Sequence, residues 1–107
     1  MTARNRIAIG ESSVPRFPRG TRFRFDATRQ AWIILAPERL IMPDEIAVEV
    51  LKLVDGARSV SAMADDLAAR FGAPRHEVLG DVLSLLQELA DDTVLEDSRS
   101  RAGSNPP

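Results

Sequence analysis

Residues 31–56 read AWIILAPERLIMPDEIAVEVLKLVDG, and a change of period inside them sets the fold. Trp32, Ile33, Ile34 and Leu35 form a continuous aromatic and β-branched run too short for a helix, the mark of a strand covered on both faces or central in its sheet. Pro37 breaks the run, and Arg39, Leu40, Ile41 and Met42 make a second, shorter strand. At Pro43-Asp44 the period switches. Asp44 is a good N-cap, and Ile46, Ala47, Val50, Leu51 and Val54 follow at helical spacing until Asp55-Gly56.

Upstream, residues 21–26 alternate, with Phe23 and Phe25 on one face and Arg22 and Arg24 on the other, which predicts a strand buried on one side. Asp26 opens a turn whose backbone its own carboxylate can satisfy, so this strand and the Trp32 strand make an antiparallel hairpin. A tight connection at Pro37-Glu38 brings in the third strand. In such a meander the most apolar strand is central and the other two are edges. The first edge carries Arg22 and Arg24, charges that discourage stray pairing. The third offers Leu40, Ile41 and Met42 with no charge after Arg39, and is the adhesive edge.

Downstream, Asp55-Gly56 is expected to stop the first helix. Ser61 should cap a second helix with Met63, Ala64, Leu67, Ala68 and Phe71 on its apolar side and Gly72 as its stop. Pro74 begins a third helix that runs to about Asp91. Its apolar residues fall into two adjoining rows, Val78, Val82, Leu85, Leu89 and Leu79, Leu83, Leu86, Ala90, spanning roughly 160° where a core-facing stripe needs about 100°. Either the first row faces the core and the second lines a groove, or both are core. Residues 93–96 are expected to add a short terminal strand. The fold class is thus α+β: a three-stranded antiparallel sheet followed by a three-helix bundle, an order that resembles a winged-helix module.

A chain of 107 residues is one small domain, with no cysteine for disulfides or thiolate chemistry. No signal peptide or membrane span is expected, and a cytoplasmic location follows. Residues 1–29 carry seven arginines against Glu11 and Asp26, a net +5, which leaves −7 for the remainder of a chain whose total is −2. Residues 1–18 read as a flexible basic arm, either a phosphate- or acid-binding element or a solubilising tail, whose removal to residue 14 should leave the fold intact. Residues 19–96 form the folded domain and residues 97–107 a disordered tail.

Several function classes fall away. The outer side of the third helix presents Glu77, Asp81, Glu88 and Asp91, which a phosphate groove would repel, so no nucleic-acid partner is expected. His76, the sole histidine, stands in the first turn of a helix and reads as an exposed residue. No nucleophile elbow, phosphate loop or metal-ligand spacing is present. The expectation is no enzyme activity, no cofactor, no metal and no membrane.

The order PRG-x-RF-x-FD, RQAW-x-x-LAPE, a helix ending in DG, SV-x-x-M-x-x-x-LA-x-x-F and EV-x-x-DV-x-x-LL-x-x-L resembles protein D of pyrroloquinoline quinone biosynthesis over roughly residues 15–95. The resemblance implies a peptide chaperone. It would hold a ribosomally made precursor peptide and present it to a radical S-adenosylmethionine enzyme that joins a Glu and a Tyr side chain. In related recognition elements the leader of the precursor adds to the third strand and rests against the third helix. Carried onto this chain, the peptide site comprises Arg39, Leu40, Ile41 and Met42 on the strand and Leu79, Leu83, Leu86 and Ala90 on the helix. A different modified-peptide pathway, or self-association into a homodimer through the adhesive edge, stays open as an alternative.

Overall fold

The computed structural model describes residues 8–98. These form β1 (Pro15–Arg16), β2 (Arg22–Asp26), β3 (Ala31–Ala36), β4 (Arg39–Ile41), α1 (Glu45–Leu51), α2 (Val60–Phe71), α3 (Arg75–Asp91) and β5 (Glu96–Asp97). The expected meander is present, in the order β2-β3-β4 with every pair antiparallel. Arg22 pairs with Leu35 and Asp26 with Ala31, while Ile34 pairs with Ile41 and Ala36 with Arg39. β3 is central, and both Ile33 and Ile34 are buried. Phe23, Phe25, Trp32 and Ile34 share one face, since they alternate with Arg22, Arg24, Ile33 and Leu35 along the ladder.

Trp32 is half-buried rather than a fully enclosed core residue. Its ring stacks on Phe23 at 4.8 Å between centroids and meets Phe25 edge-on at 5.9 Å, and the Lys52 ammonium lies 5.3 Å from its centroid. Phe17 extends the stack from Phe23 at 5.9 Å.

The core joins Ile34 of the sheet to Val50 and Leu51 of α1, Val60, Met63 and Leu67 of α2, Val82, Leu86 and Leu89 of α3, and Val94 and Leu95 beyond it. Burying each leucine-sized side chain contributes about 1.5–3 kcal/mol.

Order begins before the expected start near Gly20. β1 pairs with β5, Pro15 with Asp97 and Arg16 with Glu96, so residues 8–18 of the anticipated flexible arm belong to the domain, as do Asp97 and Ser98 of the anticipated tail. The remainder of both segments, residues 1–7 and 99–107, lies outside the described residues. The terminal strand is Glu96–Asp97 in place of residues 93–96. Two-residue strands are too short for a period of two to declare itself.

The N-terminal segment also completes α2. A helix leaves its first four N–H groups without intrahelical partners. Here the Ser13 and Glu11 carbonyls accept from Val60 and Ser61, each at 2.9 Å, and Ser59 accepts from Ala62 through its hydroxyl at 3.1 Å and from Met63 through its carbonyl at 3.0 Å. The N-cap is therefore Ser59 and not Ser61, because Ser59 is extended and its hydroxyl takes the Ala62 N–H, while Ser61 is already inside the helix. Arg75 at the start of α3 ties the assembly together: it donates to the Ser61 hydroxyl at 2.8 Å and pairs with Asp65 and Glu11, and the Asp65 carboxylate raises its pKa.

α1 ends at Leu51, short of Asp55-Gly56. Leu53 and Val54 donate to Val50 and Leu51, a tightened i to i−3 turn that ends the helix, and Asp55 then accepts from Ala57 and Arg58 at 2.9 Å each. Asp55-Gly56 is thus a turn, with Gly56 at φ +77.

Candidate functional edge at the third meander strand

β4 pairs with β3 on one side, and among the described residues no strand pairs with its other side. The direction of its backbone groups follows from the register. Ala36 and Arg39 flank the two-residue turn Pro37-Glu38, so they form the hydrogen-bonded pair that closes it. Alternation makes Leu35 and Leu40 a non-hydrogen-bonded pair and Ile34 and Ile41 a hydrogen-bonded one. Leu40 at the centre of the strand therefore turns its N–H and its C=O toward the open side.

The side chains sort by the same alternation. Ile41, across from buried Ile34, is half-buried and packs against the core. Leu40 is 39 % exposed, and Met42, just past the ladder, is 56 % exposed. Arg39 is exposed at the head of the strand. The opposite edge of the sheet carries exposed Arg22 and Arg24 in β2, the charged margin expected there.

The helical half of the expected site divides. Leu79 and Leu83 are half-buried against the core, whereas Leu86 and Ala90 are buried in it and line no groove. The core takes residues from both rows. The buried line of α3 is Val82, Leu86, Leu89 and Ala90, the seam between the rows, and each row keeps a half-buried flank: Val78 and Leu85 on one side, Leu79 and Leu83 on the other. Beside Leu83 lies a shallow, open surface depression lined also by Ile9, Ser84, Gln87, Glu88 and Asp91. Ile9 donates its N–H to Gln87 Oε1 at 2.8 Å, so the chain's own N-terminal segment forms one wall of it.

Ile46, one of the apolar residues at helical spacing, is 75 % exposed in the first turn of α1, directly after the open edge. It stands in register with Val50 but one turn earlier, outside the reach of the core. His76 is exposed, and no cluster of three or more His, Cys, Asp or Glu side chains converges among the described residues. No helix there is long and apolar enough to cross a membrane.

A three-stranded meander followed by three helices, with one apolar edge left unpaired, defines a small winged-helix-like α+β module built around a free strand. The chain belongs to the PqqD family: the model of Coenzyme PQQ synthesis protein D matches residues 31–95. A Rhodopseudomonas palustris (strain BisB5) protein described as a PqqA binding protein is 53 % identical over 102 residues, which cover 95 % of this chain and 99 % of that one. The solution structure of the PqqD part of Methylobacterium extorquens PqqCD, described as a functional, stand-alone recognition element for ribosomally synthesised and post-translationally modified peptides, is 46 % identical with a TM-score of 0.72, covering 83 % of this chain and 95 % of that one. The crystal structure of PqqD from Xanthomonas campestris is 36 % identical with a TM-score of 0.53, covering 82 % and 98 %.

Proposed function

We propose that this protein binds the PqqA precursor peptide of pyrroloquinoline quinone biosynthesis by strand addition to β4, and hands it to the radical S-adenosylmethionine enzyme of that pathway without performing chemistry itself. Relatives that share half of its residues along nearly their whole length are described as PqqA binding proteins, which supports the choice of ligand. The observation that carries the mode is the free edge of β4, where Leu40 directs both backbone groups outward and the apolar Ile41 and Met42 follow it. Main-chain hydrogen bonds there supply affinity, and Leu79 and Leu83 remain the helix positions that can receive apolar side chains from the peptide. The protein then acts by raising the local concentration of the peptide at the modifying enzyme.

The register supplies a clean test. A proline at Ile41 removes a bond to β3 and damages the sheet. A proline at Leu40 removes only the outward donor, a position where edge prolines are tolerated. Leu40→Pro is expected to keep the fold and abolish binding of labelled PqqA peptide. A folded Leu40→Pro protein that binds as tightly as the parent refutes strand addition. In the parent, amide shifts on adding peptide should fall on residues 39–43 and on α3. Absence of such shifts, with a mass that rises with protein concentration, would assign the edge to self-association.

A further inference from the structure

We propose that Arg39 selects an acidic side chain in the strand docked on β4 and thereby sets the register of the bound peptide. The proposal rests on the strand-addition reading and adds to it a requirement on the ligand.

Among the described residues, Arg16, Arg29, Lys52, Arg58, Arg70 and Arg75 each lie within 4.0 Å of a carboxylate oxygen. Arg39 is exposed and its side chain has no such partner and no hydrogen bond. The other arginines without an ion pair, Arg19, Arg22 and Arg24, lie on or just before β2, at the far margin of the sheet. Arg39 is thus the one unpaired cation on the open edge strand among the described residues.

Its position argues against a mere guard on the edge. A charge that blocks pairing works from the middle of a strand, where Arg24 stands in β2. Arg39 stands at the head of β4 and leaves positions 40–42 uncharged. Glu38, in the turn just before it, is not paired with it.

Arg39 shares its sheet face with Ile41, two residues and about 6.6 Å along the strand. A docked strand that sets an apolar side chain opposite Ile41 therefore brings the residue two positions away opposite Arg39. A carboxylate there gains a partner that the free protein leaves in water, and a neighbouring register loses it. In an antiparallel docked strand the acid follows the apolar residue by two; in a parallel one it precedes it by two. The position of the coupled acid thus also reports the direction of the bound peptide.

The test is a double-mutant cycle between Arg39→Gln and a series of synthetic PqqA peptides in which each Asp and Glu is replaced in turn by its amide. Thermal melts of Arg39→Gln, an exposed substitution, establish that it folds. Arg39→Gln should weaken binding of the parent peptide about threefold at low salt, the size of an exposed ion pair. One amide peptide should show the same loss on the parent protein and no further loss on Arg39→Gln. Arg39→Glu should recover binding to a peptide with Lys at that position. If amides of β4 shift on peptide addition but no acidic residue couples to Arg39, the charge-pairing inference is overturned while strand docking stands. If β4 amides do not shift, strand addition itself has failed.

Discussion

The Asp97 carboxylate, from the last described strand, accepts a hydrogen bond from the backbone N–H of Val14 at 2.9 Å, across 83 residues of sequence. Asp97 is buried, and the pairing of β1 with β5 around it closes the chain into a clasp reinforced by the Arg16–Glu96 ion pair and by the Ser98 N–H donating to the Val14 carbonyl at 2.8 Å. Removing the acceptor leaves a buried donor unpaired, which costs about 1–3 kcal/mol. Asp97→Ala is therefore expected to lower the melting temperature by roughly 4–8 °C for each kcal/mol lost. Asp97→Asn keeps an acceptor oxygen and should lose less. Equal melting temperatures for Asp97→Ala and the parent in differential scanning calorimetry would contradict the clasp.

The same segment finishes α2, so deleting residues 1–14 is not neutral. The deletion removes the Ser13 and Glu11 carbonyls that receive the Val60 and Ser61 N–H groups, together with the Glu11 partner of Arg75. The truncated protein should melt at a lower temperature and show reduced helical circular dichroism. This reverses the expectation that the segment is a dispensable arm. An unchanged melt would restore that expectation.

Leu86 and Leu40 offer a sharp separation of core from site. Leu86 is wholly buried, and Leu86→Ala should destabilise the fold by about 2–5 kcal/mol through lost burial and the cavity left behind. Leu40 is partly exposed, and Leu40→Ala should change stability by less than about 0.5 kcal/mol while weakening peptide binding. Urea unfolding and a peptide titration on the two variants measure both quantities. A Leu86→Ala protein as stable as the parent would place Leu86 back in a groove.

The meander was legible because its signals are dense: an alternating pair of phenylalanines, an unbroken run at residues 32–35 and a turn opened by Asp26, whose carboxylate does accept from Thr28 at 3.2 Å. The free edge was legible for a related reason, since Leu40, Ile41 and Met42 follow one another without charge. What escaped depends on partners distant in sequence. Nothing local to Pro15 or Asp97 announces their pairing, and nothing local to Val60 shows that Ser13, not a side chain, would cap its N–H. On α3 a helical wheel counts apolar positions but cannot say where the core is centred. Two rows of four were legible; that Leu86 lies on the seam between them required the neighbours it packs against.

Gly56 is a position where the backbone admits no other residue without strain. Its φ of +77 is left-handed, and a Cβ built there would come within 3.4 Å of the Arg16 Cβ, in β1. Its N–H donates to the Pro15 carbonyl at 3.1 Å, so the residue cannot shift without loosening the clasp. Gly56→Ala should destabilise the protein by about 1–2 kcal/mol. Chemical denaturation would check this, and an alanine variant of undiminished stability would show that the turn can relax.

Two carboxylates contribute stability that acid removes. The N–H groups of Ala57 and Arg58 hold the Asp55 carboxyl below its ordinary value, and the hydrogen bond from Arg29, aided by the Thr28 N–H, does the same for Asp26. A carboxyl whose folded value is depressed binds its proton more readily in the unfolded chain. The stability it contributes is present above the unfolded value of about 3.9 and drains away as the pH falls through the lower folded value. Asp55 is exposed whereas Asp26 is buried, so solvent screens the contribution of Asp55 the more. Asp55→Ala is expected to melt below the parent at neutral pH, and the gap between them should close as the pH is lowered from about 5 through 3. A gap that stays constant across that range would mean that Asp55 acts through shape alone and that its hydrogen bonds to the turn carry no charge-dependent stability.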